Sequence, residues 1–394
     1  VTELEHAYDD FVTAMGDAVR ELRAHRFYAD PTERAAAHGS LTKVITARIE
    51  EHLVWDPDFP WFRVIDRRTG EGADNADQRY LVARVTGGAA YRVWGTLGSA
   101  RRLEFQTYCG HPYLDAGNGR SGSFLTFEDL DVAPDGSFEV HLTPERVAGN
   151  WLENPSDASK LFVRQIYSEW SDDPPGEVHI DRIDTVGTPA PALTDTVLAE
   201  RLRAAAADLR SHAVVWPDIA GRILDAVGLN RMTPPHDSGA SGGVPGRWMA
   251  NGIFELHPGD ALIVRTWPAA GNYQGIQLLD VWMVALEYAD RQTSLTADQA
   301  VLDADGAYRF VVCAEDPGVA NWLDTLGRRR GVVILRYDGC SGEDFDPAHV
   351  PTVEKVAVAE LREHLTAGTR MVTAAERAAA LAARRRHVQV RFGV

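Results

Sequence analysis

The stretch that decides the fold is residues 303–337, DADGAYRFVVCAEDPGVANWLDTLGRRRGVVILRY. A turn pair, Asp305-Gly306, opens an alternating run of the kind that forms strands. A second turn, Asp316-Pro317-Gly318, leads into Asn321-Trp322-Leu323, and the apolar run 332–335 ends on Arg336-Tyr337. Residues 135–167, DGSFEVHLTPERVAGNWLENPSDASKLFVRQIY, repeat that plan. Asp135 answers to Asp305, Asn150 to Asn321 and Arg164 to Arg336, with two one-residue insertions between them. Turn, Asn-Trp-Leu element and strand-ending arginine in one order mark an internal duplication. The fold this predicts is α+β and mainly β. It has two duplicated, jelly-roll-like β-sandwich units with N-terminal, central and C-terminal helices.

The rest of the chain fits around the two copies. Residues 3–26 carry Leu4, Tyr8, Phe11, Met15, Val19 and Leu22 at helical spacing. Asp30-Pro31-Thr32-Glu33 then reads as a helix start, so 1–54 is a helical hairpin. That hairpin either packs on the β structure or forms a homodimer interface. Residues 55–191 make the first β-sandwich unit, with short runs at 80–85, 90–95 and 102–108. Residues 192–249 hold a helix, a shorter helix stopped by Gly228, and a Gly/Pro/Ser-rich loop at 231–247. The loop is either a mobile cover over a site or a surface connection. The second β unit spans 250–352, and 353–394 is a helical tail with a capping box at Thr373–Glu376. Arg384-Arg385-Arg386-His387 sits where cations complement a helix C-terminus, with an anion site as the alternative reading.

Three runs carry a resemblance to a known family: 316–331, DPGVANWLDTLGRRRG; 278–288, LLDVWMVALEY; and 75–106, NADQRYLVARVTGGAAYRVWGTLGSARRLEFQ. Together they resemble actinobacterial members of the family called domain of unknown function 1214, over roughly residue 55 to the end. The resemblance implies a β-rich fold and brings no chemistry with it. The chain departs from those relatives in two places. They often read Gly-His-Arg-Glu-Gly where Gly327-Arg328-Arg329-Arg330-Gly331 stands, and Asp-Tyr-Arg where Glu287-Tyr288-Ala289 stands. A role that needs that His or Arg is therefore not carried over.

Composition excludes several classes. The 394 residues are enough for two cores, and 45% hydrophobic with 25% charged residues describe a globular chain. A net charge of −17 leaves no basic face for nucleic acid or anionic membrane, and no apolar run is long enough to insert. Three scattered cysteines, Cys109, Cys313 and Cys340, make neither a disulfide framework nor a zinc site. A cytoplasmic location is the expectation. No His-x-His, H-E-x-x-H or P-loop occurs, so no metal and no cofactor is expected. Gly117 to Gly122 fits G-x-G-x-x-G, but the following SFLTFEDLDV alternates as a strand rather than opening the helix a pyrophosphate needs. Gly239 to Gly243 fits G-x-S-x-G around Ser241, without the flanking strand and helix of a nucleophile elbow.

Chemistry therefore has to be sought in single residues. Residues 275–286, GIQLLDVWMVAL, read as a buried central strand with Asp280 in its middle, on the face of Ile276, Leu278, Trp282 and Val284. A carboxylate there must be paired, perturbed, or carried outward by a bulge. The catalytic reading makes Asp280 or Glu287 an acid/base; the structural reading pairs Asp280 with Arg265. Asp324 reads either as a cap or as a pocket-rim acid beside Glu287 and Tyr288. Trp282 and Tyr288 would line the pocket, with Arg328, Arg330 and Arg336 as anchors for an anionic group. Gln106 and Gln277, equivalent in the two copies, read as architectural. The expected function is a cofactor-independent lyase, isomerase or cyclase, or hydrolase acting on a small, largely apolar metabolite in the second β unit. The alternative is a non-catalytic binding protein for a lipid-like or sugar-like ligand.

Overall fold

In SFEVHLT, residues 137–143, Phe138, Val140 and Leu142 are buried and the residues between them are half-buried. That alternation is a strand with one face on a core. The same logic sets strands throughout a computed structural model that describes residues 2–110, 120–239 and 242–393. The chain forms two units: Val1–Glu71, Gln78–Ile166 and Pro174–Trp216; then Gly72–Asp77, Tyr167–Asp173 and Pro217–Val394.

The first unit contains helices α1 (Glu3–Ala24), α2 (Arg34–Ile49) and α3 (Asp195–His212). Thr2 and Glu5 close a capping box on α1. The buried stripe of α1 is Ala7, Phe11, Ala14, Ala18 and Leu22; Phe11 and Leu22 are as expected, but alanines replace Leu4, Met15 and Val19 on that face, and Tyr8 is 58% exposed. Small residues win because α1 packs along α3, whose buried face carries Ala199, Ala205 and Ala206. The strands are β1 (Arg63–Ile65), β2 (Gln78–Arg84), β3 (Tyr91–Thr96), β4 (Arg102–Cys109), β5 (Arg120–Leu125), β6 (Ser137–Thr143), β7 (Asn150–Glu153), β8 (Ala158–Ile166) and β9 (Val178–Arg182). They make one sheet in the order β1-β2-β8-β4-β5 and another in the order β7-β6-β3-β9.

Helix α4 (Val215–Val227) leads into β10 (Arg231–Met232), β11 (His236–Asp237), β12 (Trp248–Glu255), β13 (Asp260–Thr266), β14 (Tyr273–Leu279), β15 (Ser294–Thr296), β16 (Tyr308–Cys313), β17 (Trp322–Asp324), β18 (Arg330–Asp338) and β19 (Thr352–Ala357). The chain ends with α5 (Leu361–His364) and α6 (Ala374–Phe392). The large sheet runs β10-β12-β18-β14-β15, with β11 also on β12, and the small sheet runs β17-β16-β13-β19. Strand for strand this is the order of the first unit, including the rare parallel pairs β6–β7 and β16–β17. The duplication is therefore one topology built twice, α+β and mainly β. Hairpin and α3 belong with the first repeat, and the C-terminal tail with the second. Among the described residues no helix is long and apolar enough to cross a membrane.

The repeated Asn-Trp element has one job in both copies. Asn150 bridges the backbone at Asp131 and Glu139, and Asn321 bridges the backbone at Val301. The tryptophans differ. Trp322 is 6% exposed, packed on the outer face of the small sheet with Val319 and Leu361. Its indole donates to Cys313 O at 3.0 Å, and Arg377 lies over its ring. Trp151 is only half-buried. The cause is chain order: α5 and α6 follow the second repeat, and Leu361 and Arg377 come from them. Trp322→Ala should therefore lower stability by about 3–5 kcal/mol, and Trp151→Ala by distinctly less. Denaturant unfolding of both variants checks this; equal losses would refute the covering argument.

Candidate functional site

Helix α6 carries arginine at every seventh position, Arg377, Arg384 and Arg391, and all three are buried along with His387. Residues seven apart share a helix face. Arg384 and His387 thus point inward and only part of the run 384–387 meets solvent, so complementing the helix dipole is not what that run chiefly does. Arg377 is fully served: Asp316 at 2.9 Å, Gln292 Oε1 at 2.6 Å and Val319 O at 2.6 Å. Arg384 donates to Tyr288 O at 3.2 Å, Ser294 O at 3.1 Å and Ser294 Oγ at 2.9 Å. Arg391 donates to Ala76 O at 2.8 Å, and its Nε and Nη1 have no acceptor.

The surface these arginines meet is the outward face of the large sheet. Ile276, Leu278, Val333 and Leu335 point into the sandwich core. Their neighbours Tyr273, Gln277 and Arg336 therefore point the other way. Segments Gly72–Asp77 and Tyr167–Asp173 cover that face. Gln277 stitches the first one down, accepting from Ala76 N at 3.2 Å and donating to Asp74 O at 2.8 Å. Arg336 joins it, donating to Gln277 Oε1 at 2.7 Å and Ala73 O at 2.5 Å. Thr296 holds the second segment through Ser168 O at 2.7 Å, and the two segments meet where Tyr167 N donates to Asp77 O.

At the centre, Tyr273 donates to Asp77 Oδ2 at 2.6 Å and accepts from Asn75 Nδ2 at 3.1 Å. Asp77 is 1% exposed and Tyr273 2%. Burial raises the Asp77 carboxyl above its ordinary range, against the pull of Tyr273 and the guanidinium groups of Arg391, Arg384 and Arg336. Burial and the neighbouring Asp77 push Tyr273 well above the usual phenol value. His387 donates from Nδ1 to Ser171 O at 2.5 Å, and burial holds it down at about 3, so it is neutral with Nε2 unfilled. Tyr167, Trp170, Tyr288 and Phe392 ring the Arg391 guanidinium at 4.9–5.8 Å.

Of the residues expected from sequence, only Tyr288 and Arg336 join this cluster. Asp280 does not lie in a strand: β14 ends at Leu279, and residues 280–284 turn back through Met283 at φ 60°. Its Oδ1 accepts from Trp282 N at 2.9 Å and Val284 N at 3.1 Å, which satisfies the buried carboxylate locally. Arg265 pairs instead with Asp305 at 3.1 Å. Glu287 caps its own turn, accepting from Ala289 N at 2.9 Å. Asp324 accepts from Leu326 N at 2.7 Å and Arg291 at 3.1 Å, partners other than Glu287 or Tyr288. Trp282 is buried at 1% exposure. Arg330 pairs with Glu255, and Arg328 is half-buried in the turn after β17. Ser241 and Gly117–Gly119 lie outside the described residues. Burial pushes the Cys109 thiol up to about 11 and Cys313 up to about 12, so neither is a ready nucleophile.

The first unit has its own buried polar network. One π-helical turn, Glu50–Val54, follows α2 and presents Glu51 and His52 to α3. Asp208 accepts from His52 Nε2 and His212 Nδ1, both at 2.6 Å. Ligand atoms of Glu51, His52 and Asp208 lie within 4.8 Å of one another, close enough to hold a cation. The cation's place is already filled, however: Lys160 binds Glu51 at 2.5 Å, and Arg48 stands 3.6 Å from Glu51 and 3.7 Å from Asp208. Burial opposes the charge of Asp208, but the bonds from His212 and His52 and the Arg48 charge hold its carboxyl far below the ordinary range.

No family model matches the chain, and no curated protein matches it. Among solved structures it is similar to an uncharacterized protein from Burkholderia cenocepacia, with 29% identity, a TM-score of 0.79, and coverage of 91% of this chain and 97% of that one. A protein of Vibrio parahaemolyticus aligns at 11% identity and a TM-score of 0.48, over 90% of this chain and all of that one.

Asp208 yields a test. A depressed carboxylate contributes stability that is present above its unfolded value, near 3.8, and is lost as the pH falls below it. Asp208→Asn should cost about 3–5 kcal/mol at pH 7. The gap from wild type should narrow at pH 3. Urea unfolding at both pH values decides, and a gap that stays constant would contradict the assignment.

Proposed function

We propose that the second unit is a cofactor-independent enzyme acting by acid/base chemistry on a small, largely apolar metabolite. Asp77 and Tyr273 exchange the proton, and Arg336 serves as an anchor. One observation carries this: a carboxyl and a phenol 2.6 Å apart, 1% and 2% exposed. A carboxyl raised by burial holds a proton nearer neutrality than a free one, which suits a general acid/base. The reaction class stays among lyase, isomerase or cyclase, and hydrolase. Kinship with the family called domain of unknown function 1214 belongs to the same proposal, as do a cytoplasmic location and a homodimer through the N-terminal hairpin. Three free, buried cysteines fit a reducing compartment. The second reading is a non-catalytic binding protein for a lipid-like or sugar-like ligand. It is favoured by the same burial, which suits retention of a ligand better than turnover.

Asp77→Asn separates the two. A folded-state carboxyl pKa above the unfolded value means ionised Asp77 subtracts from stability once the pH passes the ordinary carboxylate range. The variant should therefore stay folded at pH 7, with Tm equal to or above wild type. Wild type and variant, incubated with a mixture of small metabolites and followed by mass spectrometry, should differ. Wild type consumes a component, and Asp77→Asn slows that by about a hundredfold or more. Stoichiometric retention of one component by both proteins, without conversion, would establish the binding protein instead.

A further inference from the structure

Three buried arginines of the second unit, Arg336, Arg384 and Arg391, lack a paired counter-charge. Arg336 bonds a glutamine amide and a backbone carbonyl. Arg384 bonds two carbonyls and a hydroxyl. Arg391 bonds one carbonyl. None of the three makes an ion pair among the described residues, and their exposures are 6%, 5% and 1%. Asp77, the acid whose field reaches all three, is itself disfavoured as an anion by burial. Other buried arginines are paired with carboxylates, as Arg247 with Asp338 and Arg377 with Asp316, whereas Arg164 of the first unit bonds the Tyr108 hydroxyl. A desolvated guanidinium without an anion is among the most unfavourable arrangements a protein interior can hold. Burial already pushes Arg384 down to about 10.

Unfilled donors converge on the same place. Nε and Nη1 of Arg391 have no acceptor, and neither has Nε1 of Trp170. The Trp170 ring lies 4.3 Å from the Arg384 guanidinium carbon and 4.9 Å from that of Arg391. Trp170 and Phe392 are half-buried, so the cage reaches the surface on their side. We propose that this cage binds a carboxylate, held by Arg391 and Arg384 beside the Trp170 indole. The inference rests on the reading of Asp77 and Tyr273 as the reacting pair and names the substrate class: a small carboxylic acid with an apolar body. Aromatic rings around the guanidinium suit that body, and the charged donors suit the acid group.

The probe is acetate, titrated into the purified full chain at constant ionic strength set with chloride, with inorganic phosphate as the parallel arm. Acetate should raise Tm saturably, because an anion that binds only the folded state stabilises it by mass action. Phosphate should do no more than chloride. Arg391→Met should weaken acetate on the order of tenfold or more, whereas Arg385→Met, on the exposed side of α6, should leave it unchanged. If Arg391→Met does not fold, Trp170→Phe removes the indole donor from a half-buried position and should weaken acetate in the same direction. No saturable acetate response, a preference for phosphate, or full acetate binding in the altered proteins would each overturn the proposal. Turnover and acetate binding, both measured on wild type, distinguish the two readings. Acetate binding without turnover in wild type fails the enzyme alone; turnover of an uncharged substrate without acetate binding fails the carboxylate alone.

Discussion

A guanidinium taken out of water must be given acceptors, and that requirement organises the second unit. Helix α6 presents Arg377, Arg384 and Arg391 to the protein interior at heptad spacing. Each meets a different part of the fold. Arg377 ties the helix to Asp316, Gln292 and the Trp322 element of the small sheet. Arg384 ties it to the backbone around Ser294 and Tyr288. Arg391 reaches the segment Gly72–Asp77 through Ala76. A helix so anchored cannot slide or turn without leaving several donors unsatisfied, and each such group costs about 1–3 kcal/mol, more when charged.

The same requirement explains how one topology serves two ends. Both repeats place a glutamine and an arginine on the outer face of the large sheet. In the first, Gln106 donates to Ser121 Oγ and Arg164 to Tyr108 Oη, each at 3.0 Å. In the second, Gln277 and Arg336 bind one another and the segment above them. The residue types survive duplication because the sheet position needs an amide and a long cation. What they bond to follows from what covers them. Gln277 is thus architectural, as its recurrence in both copies implies, and it also borders the Asp77–Tyr273 pair.

Much of the fold was legible because its signals are local. The turn pairs, the Asn-Trp element and the strand-ending arginine all act over a few residues, and they carried the duplication. Asp280 shows where local reading fails. Its neighbours are apolar on both sides, as in a central strand, yet the chain turns at Asp280 and the carboxylate bonds the amides of Trp282 and Val284. An apolar run records burial but not extension, and a turn whose amides are capped by its own aspartate can be buried too.

The candidate site was hidden for a different reason. Asp77 and Tyr273 belong to opposite halves of the sequence, and only the passage of Gly72–Asp77 into the second unit brings them together. No pattern within either stretch announces that passage. One signal was present and went unread: arginine at 377, 384 and 391, of which only Arg384 was considered, within the run 384–387. An exposed helix face can carry such a stripe freely, but this one lies beside Val388 and a C-terminal His387, on the side the sheet must cover. Its inward direction follows from the sheet. Both sandwich interiors are filled with apolar side chains. By strand alternation, polar residues of the large sheet can only face outward, and there they need a polar cover. An arginine-bearing helix meets that need with long side chains that reach across the covering segments. It also leaves positive charge in a place from which water has been removed, which is the condition under which a small anion is bound most selectively.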